Sequence, residues 1–431
     1  MKRIINTQEE FNEKAYKLFS NVHEYNLKNA VVNCDLDFFE ESHSSNVVRI
    51  NFELVEFKGK LKFNQRFRFN SIFIENCTFE EDLDFTNHGF REIEFESCRF
   101  KRYVDFSNSV FTDITIFSNN HFTSEFVCVD CSFKKTFCKN NNFYKEASFL
   151  ASDFKEAADF RLNCFRNVAN FSYVTFFKTF IGNNIIGYSS LVDFSRVTFM
   201  KDSFLTQSQF YGGISLYAST IKESLDLTDI RIFGQNTDSN TLRFIKAFFL
   251  KQNNRVQVLK FHEKLMVAHE KELRENYKKA KQKLIELKLE DENTQKKSLI
   301  VEYQEVIKDY KRDSIILNLN RITNNYGLSW VKALKFILYS SIFLYTAYIL
   351  VFIYNKSYPY KLGWDDFNEF FDAINYTLKN YLQFLWPTHK FDFMAGTHSN
   401  FFSYLIDIFS RIVIGFGIYQ MIQAFRKFGK V

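Results

Sequence analysis

From Ile93 to Phe176 the apolar positions recur at a spacing that neither a helix nor an isolated strand produces. Phe95, Phe106 and Phe117 stand eleven residues apart, as do Phe100, Phe111, Phe122 and Phe133. The two series interleave, so successive rings are separated alternately by five and six residues, with polar letters between them. An amphipathic helix would space its apolar residues near 3.6 and a half-buried strand at 2, so this is a structural repeat. Two places before most rings stands a small or aliphatic residue: Cys98, Val104, Thr115, Cys131, Ala147, Ser152, Ala158, Ala169 and Val174. The pattern predicts a coiled ribbon whose short sides each turn a phenylalanine and the residue two before it inward. Stacked coils then seat ring on ring and bury a face that no single repeat could bury alone. With four sides to a coil of about 22 residues, the run from Val31 to Phe233 gives roughly nine coils. At about 4.8 Å between strands that is a rod some ~43 Å long.

The strings CTF at 77–79, CRF at 98–100, VDFS at 104–107, ADF at 158–160 and ANFS at 169–172 share a central phenylalanine with a small residue two positions earlier. In this they resemble the pentapeptide-repeat family, and the resemblance implies a right-handed quadrilateral β-helix, a solenoid, for the N-terminal part. That family has no shared chemistry, so the resemblance speaks to fold and not to activity. The alternating step departs from the family's five-residue rhythm. One residue is also added where Phe171 to Phe194 and Phe176 to Phe199 are 23 apart, which predicts a bulge or corner loop near Gly182 to Gly187.

At the start of the chain, residues 1–30 read as a capping region. Thr7 and Glu10 form a capping box ahead of Phe11, Ala15, Leu18 and Phe19, which predicts a short helix covering the open first coil. Lys2 and Arg3 lead into polar Asn6 to Glu10 instead of an apolar run, so no signal peptide is expected. Beyond the repeat region, 31–233, the polar stretch from Gly234 to Asn240 can cap a helix through Asp238, Ser239 or Asn240. Leu242, Ile245 and Phe249 mark that helix, and Gln252 to Asn254 break it. Met266, His269, Leu273, Tyr277, Ala280, Leu284 and Leu287 then follow the spacing of a coiled-coil seam. After a loop at Glu290 to Asn293, Leu299, Tyr303, Val306, Tyr310 and Leu317 repeat it. An antiparallel helical hairpin is therefore expected over 242–327.

Residues 328–431 read as a two-span membrane domain. Phe336 to Tyr354 contains no charge, is preceded by Trp330, Lys332 and Lys335, and is long enough to cross the hydrocarbon core. A second candidate span runs from Asn400 to Phe425 and ends in a basic tail. Between them Phe367, Phe370, Phe371, Ile374, Leu378, Tyr381, Leu382 and Leu385 follow helical spacing from Trp364 to Trp386, which predicts an amphipathic or re-entrant helix. Span, short helix, loop and span is the layout of two-span channel pore domains. The ending GFGIYQMIQAFRKFGK at 415–430 resembles that of bacterial membrane proteins that pair pentapeptide repeats with such a region. The loop PTHKFDFMAGTHSN contains no TVGYG filter, so potassium selectivity through backbone carbonyls is not expected.

Charge gives the topology. From Leu242 to Lys335 there are 21 basic and 12 acidic residues, a composition suited to an anionic inner leaflet. Basic residues lie before the first span and after the second, while Asp365, Asp366, Glu369, Asp372 and Asp392 lie between the spans alongside four lysines, so the positive-inside rule places both termini in the cytoplasm of a bacterial inner membrane. From Val31 to Phe233 there are 22 basic and 27 acidic residues, too weak an imbalance for mimicry of DNA, and nucleic acid is not an expected partner. Seven cysteines, an odd number, point to reduced thiols. Cys128 and Cys131 form a CxxC but fall on inward repeat positions, where cysteine acts as a small apolar residue. His262 and His269 lie two turns apart, about 10 Å along a helix, too far to share one metal ion without outside ligands. No phosphate loop, HExxH, GxSxG or Rossmann pattern is present, so neither catalysis nor a cofactor is expected.

Candidate pore or assembly residues are Asp407 and Arg411, one helical turn apart within the second span, with Gly415 and Gly417 flanking a hinge and Gln420 and Gln423 beyond. Two spans cannot enclose a pore, so a channel requires a homo-oligomer, a tetramer by preference. The expectation is an oligomeric ion-channel-like membrane protein controlled by a cytosolic repeat domain that meets a ligand or protein partner, with a defence or stress effector as one setting. The alternative is a non-conducting, lipid-embedded anchor whose β-helix displays a docking surface.

Overall fold

The computed structural model describes residues 2–19, 22–38, 47–63, 68–234, 236–289, 294–354, 359, 367–390 and 401–429. The chain divides into two compact units, Met1–Asn254 and Arg255–Val431.

The first unit is a β-solenoid of about nine turns built from parallel ladders. One ladder joins eleven short strands from Arg3–Ile5 to Arg231–Ile232, and a second joins nine from Leu36–Phe38 to Ile214–Ser215. The third uses longer strands such as Val110–Ser118, and it forks after Ser132–Lys139, which pairs with both Asp153–Phe154 and Ala158–Asp159. The phenylalanines fill the interior as expected. Phe79, Phe100, Phe122 and Phe143 stack with centroids 5.0, 4.7 and 4.9 Å apart, a distance imposed by the strand spacing.

The alternation of five and six has a backbone cause. The short steps Phe106 to Phe111 and Phe117 to Phe122 each contain one left-handed residue, Asn108 (φ 58°) and Asn119 (φ 60°), whereas the long steps beside them contain none. A left-handed residue turns the chain in fewer atoms, and Asn and Asp enter that region most easily among residues with a side chain.

The residue after each tight corner has a second task. Asn120 accepts from the Cys98 N–H at 2.8 Å and donates to the Phe95 carbonyl at 2.8 Å, so one side chain satisfies both inward backbone groups of the corner one coil below. Asn141 and Asn163 repeat this one and two coils on. Ser109 and Ser152 do the same along the neighbouring corner. Above Ser152 stands Val174, which cannot bridge, and the corner below it closes on itself through Ser152 N–H to the Phe149 carbonyl. At these corners the small residue is polar where it bridges to the coil below, as Asn120 and Ser109 do, and apolar at Val174, where the corner below closes on itself.

Both ends of the solenoid are covered. Helix α1 (Gln8–Ala15) begins at Thr7, whose hydroxyl accepts from Glu10 N–H, and Phe11 enters the interior against Tyr25, Phe38 and Phe52. The helix is shorter than the sequence suggested. Leu18 and Phe19 belong to a strand, Tyr16–Phe19, that folds back antiparallel on Val22–Lys28 and occupies the ladder's open edge. The coil also starts before Val31, because Arg3–Ile5 pairs with Ala30–Val32. At the other end lies α2 (Ser239–Lys251), capped by Asp238. Thr237 and Thr241 accept from the N–H groups of Ile214 and Leu216 in the last turns, while Leu242, Ile245 and Phe249 are buried. This helix, expected at the head of the hairpin, therefore belongs to the solenoid unit.

The inserted residue lies later than expected. Cys164 pairs with Ile186 and Ala169 with Val192, so the extra residue sits in the corner between Gly187 and Val192. Gly212 lies above that corner, and a Cβ on it would meet the Ser190 carbonyl oxygen at 2.2 Å.

In the second unit α3 (Arg255–Leu289) and α4 (Thr294–Asn324) run antiparallel, joined through residues 290–293, which lie outside the described residues. Leu273, Leu317 and Tyr326 form their common core with Met266 and Tyr310. Glu270, not His269, takes the buried seam position, paired with Arg274 and Arg321 and accepting from the Tyr326 hydroxyl at 2.7 Å. Then follow α5 (Trp330–Tyr354), α6 (Phe367–Phe384) and α7 (Phe401–Gly429). The loop residues Asp365, Asp366 and Asp392, with Gly363, Trp364 and the stretch 391–400, lie outside the described residues.

Candidate functional site

Helices α5 and α7 pair antiparallel. Trp330 stacks on Phe425 at 5.4 Å and Phe336 meets Phe416 edge-on at 6.3 Å. At the level of Ile337 the helices touch through Gly417, where a Cβ would come within 2.5 Å of the Ile337 side chain. Gly417 thus serves close packing. Helix α7 runs unbroken through Gly415 and Gly417. Around Gly415 a Cβ would meet nothing within 4 Å.

Helix α6 packs against the middle of α5. The Tyr381 and Ser341 hydroxyls are 2.9 Å apart, Tyr345 donates to the Thr377 carbonyl at 2.7 Å, and Phe384 packs against Tyr345 and Tyr348. Its opposite face exposes Phe371, Leu378 and Leu382, and Trp386, just past its end, is exposed as well.

Where α6 ends, the chain turns at Pro387 and presents His389 to α7. Asp407, 1% exposed, accepts from His389 Nε2 at 2.7 Å through one carboxylate oxygen and pairs with Arg411 at 2.9 Å through the other. Arg411 also donates to the His389 carbonyl at 2.7 Å, and His389 Nδ1 lies 2.6 Å from the Trp386 carbonyl. Both ring nitrogens thus face acceptor oxygens. The expected pair of Asp407 and Arg411 is present, as part of a three-residue ionic cluster that fastens the end of α6 to α7. His389 was missed in the sequence: it stands eighteen residues from Asp407, in a loop.

Toward the other end of α7, Gln420 is buried. Its amide donates to Asn320 at 3.2 Å and its carbonyl oxygen accepts from Asn324, so it ties α4 to α7. Gln423 is exposed and bonds Tyr419 at 3.2 Å. The residues expected to share one line along a conduit are therefore split: Asp407, Gly417 and Gln420 face the packed side of α7, Gln423 the open side.

Within the solenoid, Cys128 and Cys131 are both buried; the Cys131 thiol donates to the Phe106 carbonyl at 3.0 Å, and burial pushes the Cys128 thiol well above its ordinary range. Both side chains fill the interior of the stack, where cysteine acts as a small apolar residue.

These features define a β-solenoid protein that carries two helices, Trp330–Tyr354 and Phe401–Arg426, long and apolar enough to cross a membrane. No protein-family model, curated protein or solved structure matches the chain.

Proposed function

We propose that the chain is a pentapeptide-repeat membrane protein in which a cytosolic quadrilateral β-helix governs an oligomeric, ion-conducting pore built from α5, α6 and α7. The observation that carries this reading is the depth of α6. Its partners Ser341 and Tyr345 lie about 16 and 22 Å along α5 from Trp330, at 1.5 Å per residue. A helix lying on the membrane surface would meet the end of α5; one that contacts its middle re-enters the bilayer, as a short pore helix does. Charged groups within a span face a bundle interior or a water-filled path, and the His389, Asp407 and Arg411 cluster meets that description. Several copies, four by preference, are needed to surround a conduit. Both termini lie in the cytoplasm of a bacterial inner membrane, where the solenoid meets a ligand or partner of a defence or stress response.

One observation favours a docking role for the solenoid. Tyr144, Arg166, Tyr188, Tyr211 and Phe233 form a continuous outward row, with Arg166 stacked between two tyrosines and Tyr211 4.6 Å from Phe233. The test is reconstitution of the full chain in planar bilayers with its oligomeric state measured in parallel. Discrete currents from an oligomer support the pore, whereas a monomer without flux leaves the anchor reading. A cysteine introduced near Gly363 should react with an impermeant reagent from outside intact cells and one near Lys430 should not; labelling at both overturns the topology.

A further inference from the structure

At the end of α7 remote from Asp407 lies a cavity of about 560 Å³, within the range of small-ligand sites. Three helices and a turn converge on it: His262 and Met266 from α3, Asn320 from α4, Tyr326 and Gly327 from the turn into α5, and Gln423 and Arg426 from α7. Among the described residues that line it there is no carboxylate. Glu270, behind the Tyr326 wall, is engaged by Arg274 and Arg321 and by the Tyr326 hydroxyl, and Glu263 accepts from the Asn325 amide at 3.0 Å. The Asn320 oxygen accepts from Gln420, so the end of that side chain left for the cavity is its NH₂ donor. Gly327, left-handed at φ +78°, has nothing within 4 Å of where a Cβ would stand, and this keeps one wall open.

A guanidinium, an imidazole and amide donors around a space without acids suit an anion of phosphate type. Trp330, stacked on Phe425 beside Arg426, is the kind of aromatic anchor found at the headgroup layer. We infer that this cavity binds a phosphate ester, carried either by an anionic lipid of the inner leaflet or by a soluble cytosolic molecule. The inference rests on the topology proposed above, which puts this end of α7 at the cytoplasmic face. An occupant would bridge α3 to α7, and so link the cytosolic hairpin to the spans.

The test uses the full chain in nanodiscs of phosphatidylcholine alone or with phosphatidylglycerol, with retained lipid counted by native mass spectrometry. Glycerol phosphate is titrated into the phosphatidylcholine discs by calorimetry. Retention of phosphatidylglycerol assigns the lipid source and binding of glycerol phosphate the soluble one. In either case R426Q and H262Q should weaken binding by at least about ten-fold, with R426K in between. Thermal unfolding of each variant checks that it is folded. Absence of binding to both probes, or equal binding by parent and folded variants, overturns the inference. Neither readout depends on conductance, so a site that fails leaves the pore proposal intact, and a chain without current leaves the site intact.

Discussion

Removing the Asp407 carboxylate should unlock α6 from α7. Asp407 is 1% exposed and is shared by His389 at 2.7 Å and Arg411 at 2.9 Å, so Asp407→Ala leaves the Arg411 guanidinium without its buried carboxylate and His389 Nε2 without its acceptor. Breaking a buried ion pair from one side costs about 3–5 kcal/mol, which is roughly a hundred- to several-thousand-fold in the folding equilibrium. Removing Arg411 as well should recover about half of that loss, because what then remains is a histidine lacking hydrogen-bond partners, worth about 1–3 kcal/mol. Asp407→Asn keeps the shape and one acceptor and should fall between. The assay is SDS titration of the full chain in mixed micelles. Trp386 serves as reporter after Trp330 and Trp364 are changed to Phe, since its carbonyl is held by His389. A parent-like midpoint for Asp407→Ala, or a double variant no better than the single one, would show that the cluster does not hold the two helices together.

Three further outcomes are expected of the solenoid. Phe160→Glu should abolish cooperative unfolding of a 1–254 fragment, because an unpaired charge would replace a fully buried ring, whereas Arg161→Ala should cost about 1 kcal/mol for its exposed half of the pair with Asp159. Asn141→Val should lower stability by about 2–4 kcal/mol in denaturant titration by orphaning the Asn120 N–H and the Phe117 carbonyl; Asn141→Ser, which can bridge as Ser109 does, should lose less. Burial acts most strongly on Asp159 and would raise its pKa, but hydrogen bonds from Arg161 and Lys139 outweigh it, so the net direction is down. A carboxyl held below its ordinary value stabilises the fold above that value. The fragment should therefore lose stability as pH falls through the carboxylate range, and Asp159→Asn should flatten that limb.

The repeat was legible because each ring's burial is written locally: a phenylalanine five or six residues after the last has no other way to reach a shared interior. What sequence did not disclose was which small residues carry the corners. Asn120 and Val174 occupy equivalent motif positions, yet one bonds two backbone groups of the coil below and the other none. Nothing within a single repeat distinguishes them, since the bond is made to a residue 22 positions away. The misplaced insertion at Gly187 to Val192 has a similar origin. Period counting locates an extra residue only to within one coil, and strand register is needed to assign it to a corner.

The helices were legible as apolar stretches but not in their faces. Gln420 and Gln423 read alike as polar residues in a span, and only packing shows that Gln420 is bound by Asn320 and Asn324, a hundred residues upstream and closer, while Gln423 is open. Polar residues in an apolar helix therefore announce that a partner exists without saying whether it is water, ion or protein. His389 sharpens the point. On sequence it was one histidine in a loop, and its weight comes from α6, whose helical run ends just before a proline and so delivers the imidazole to Asp407. The last carbonyls of a helix and the turn that follows it have no partners within the helix, so where they are shielded from water they need donors from elsewhere. Beyond α6 the Trp386 carbonyl is met by His389 Nδ1 and the His389 carbonyl by Arg411, and Asp407 holds both of those side chains in place from α7.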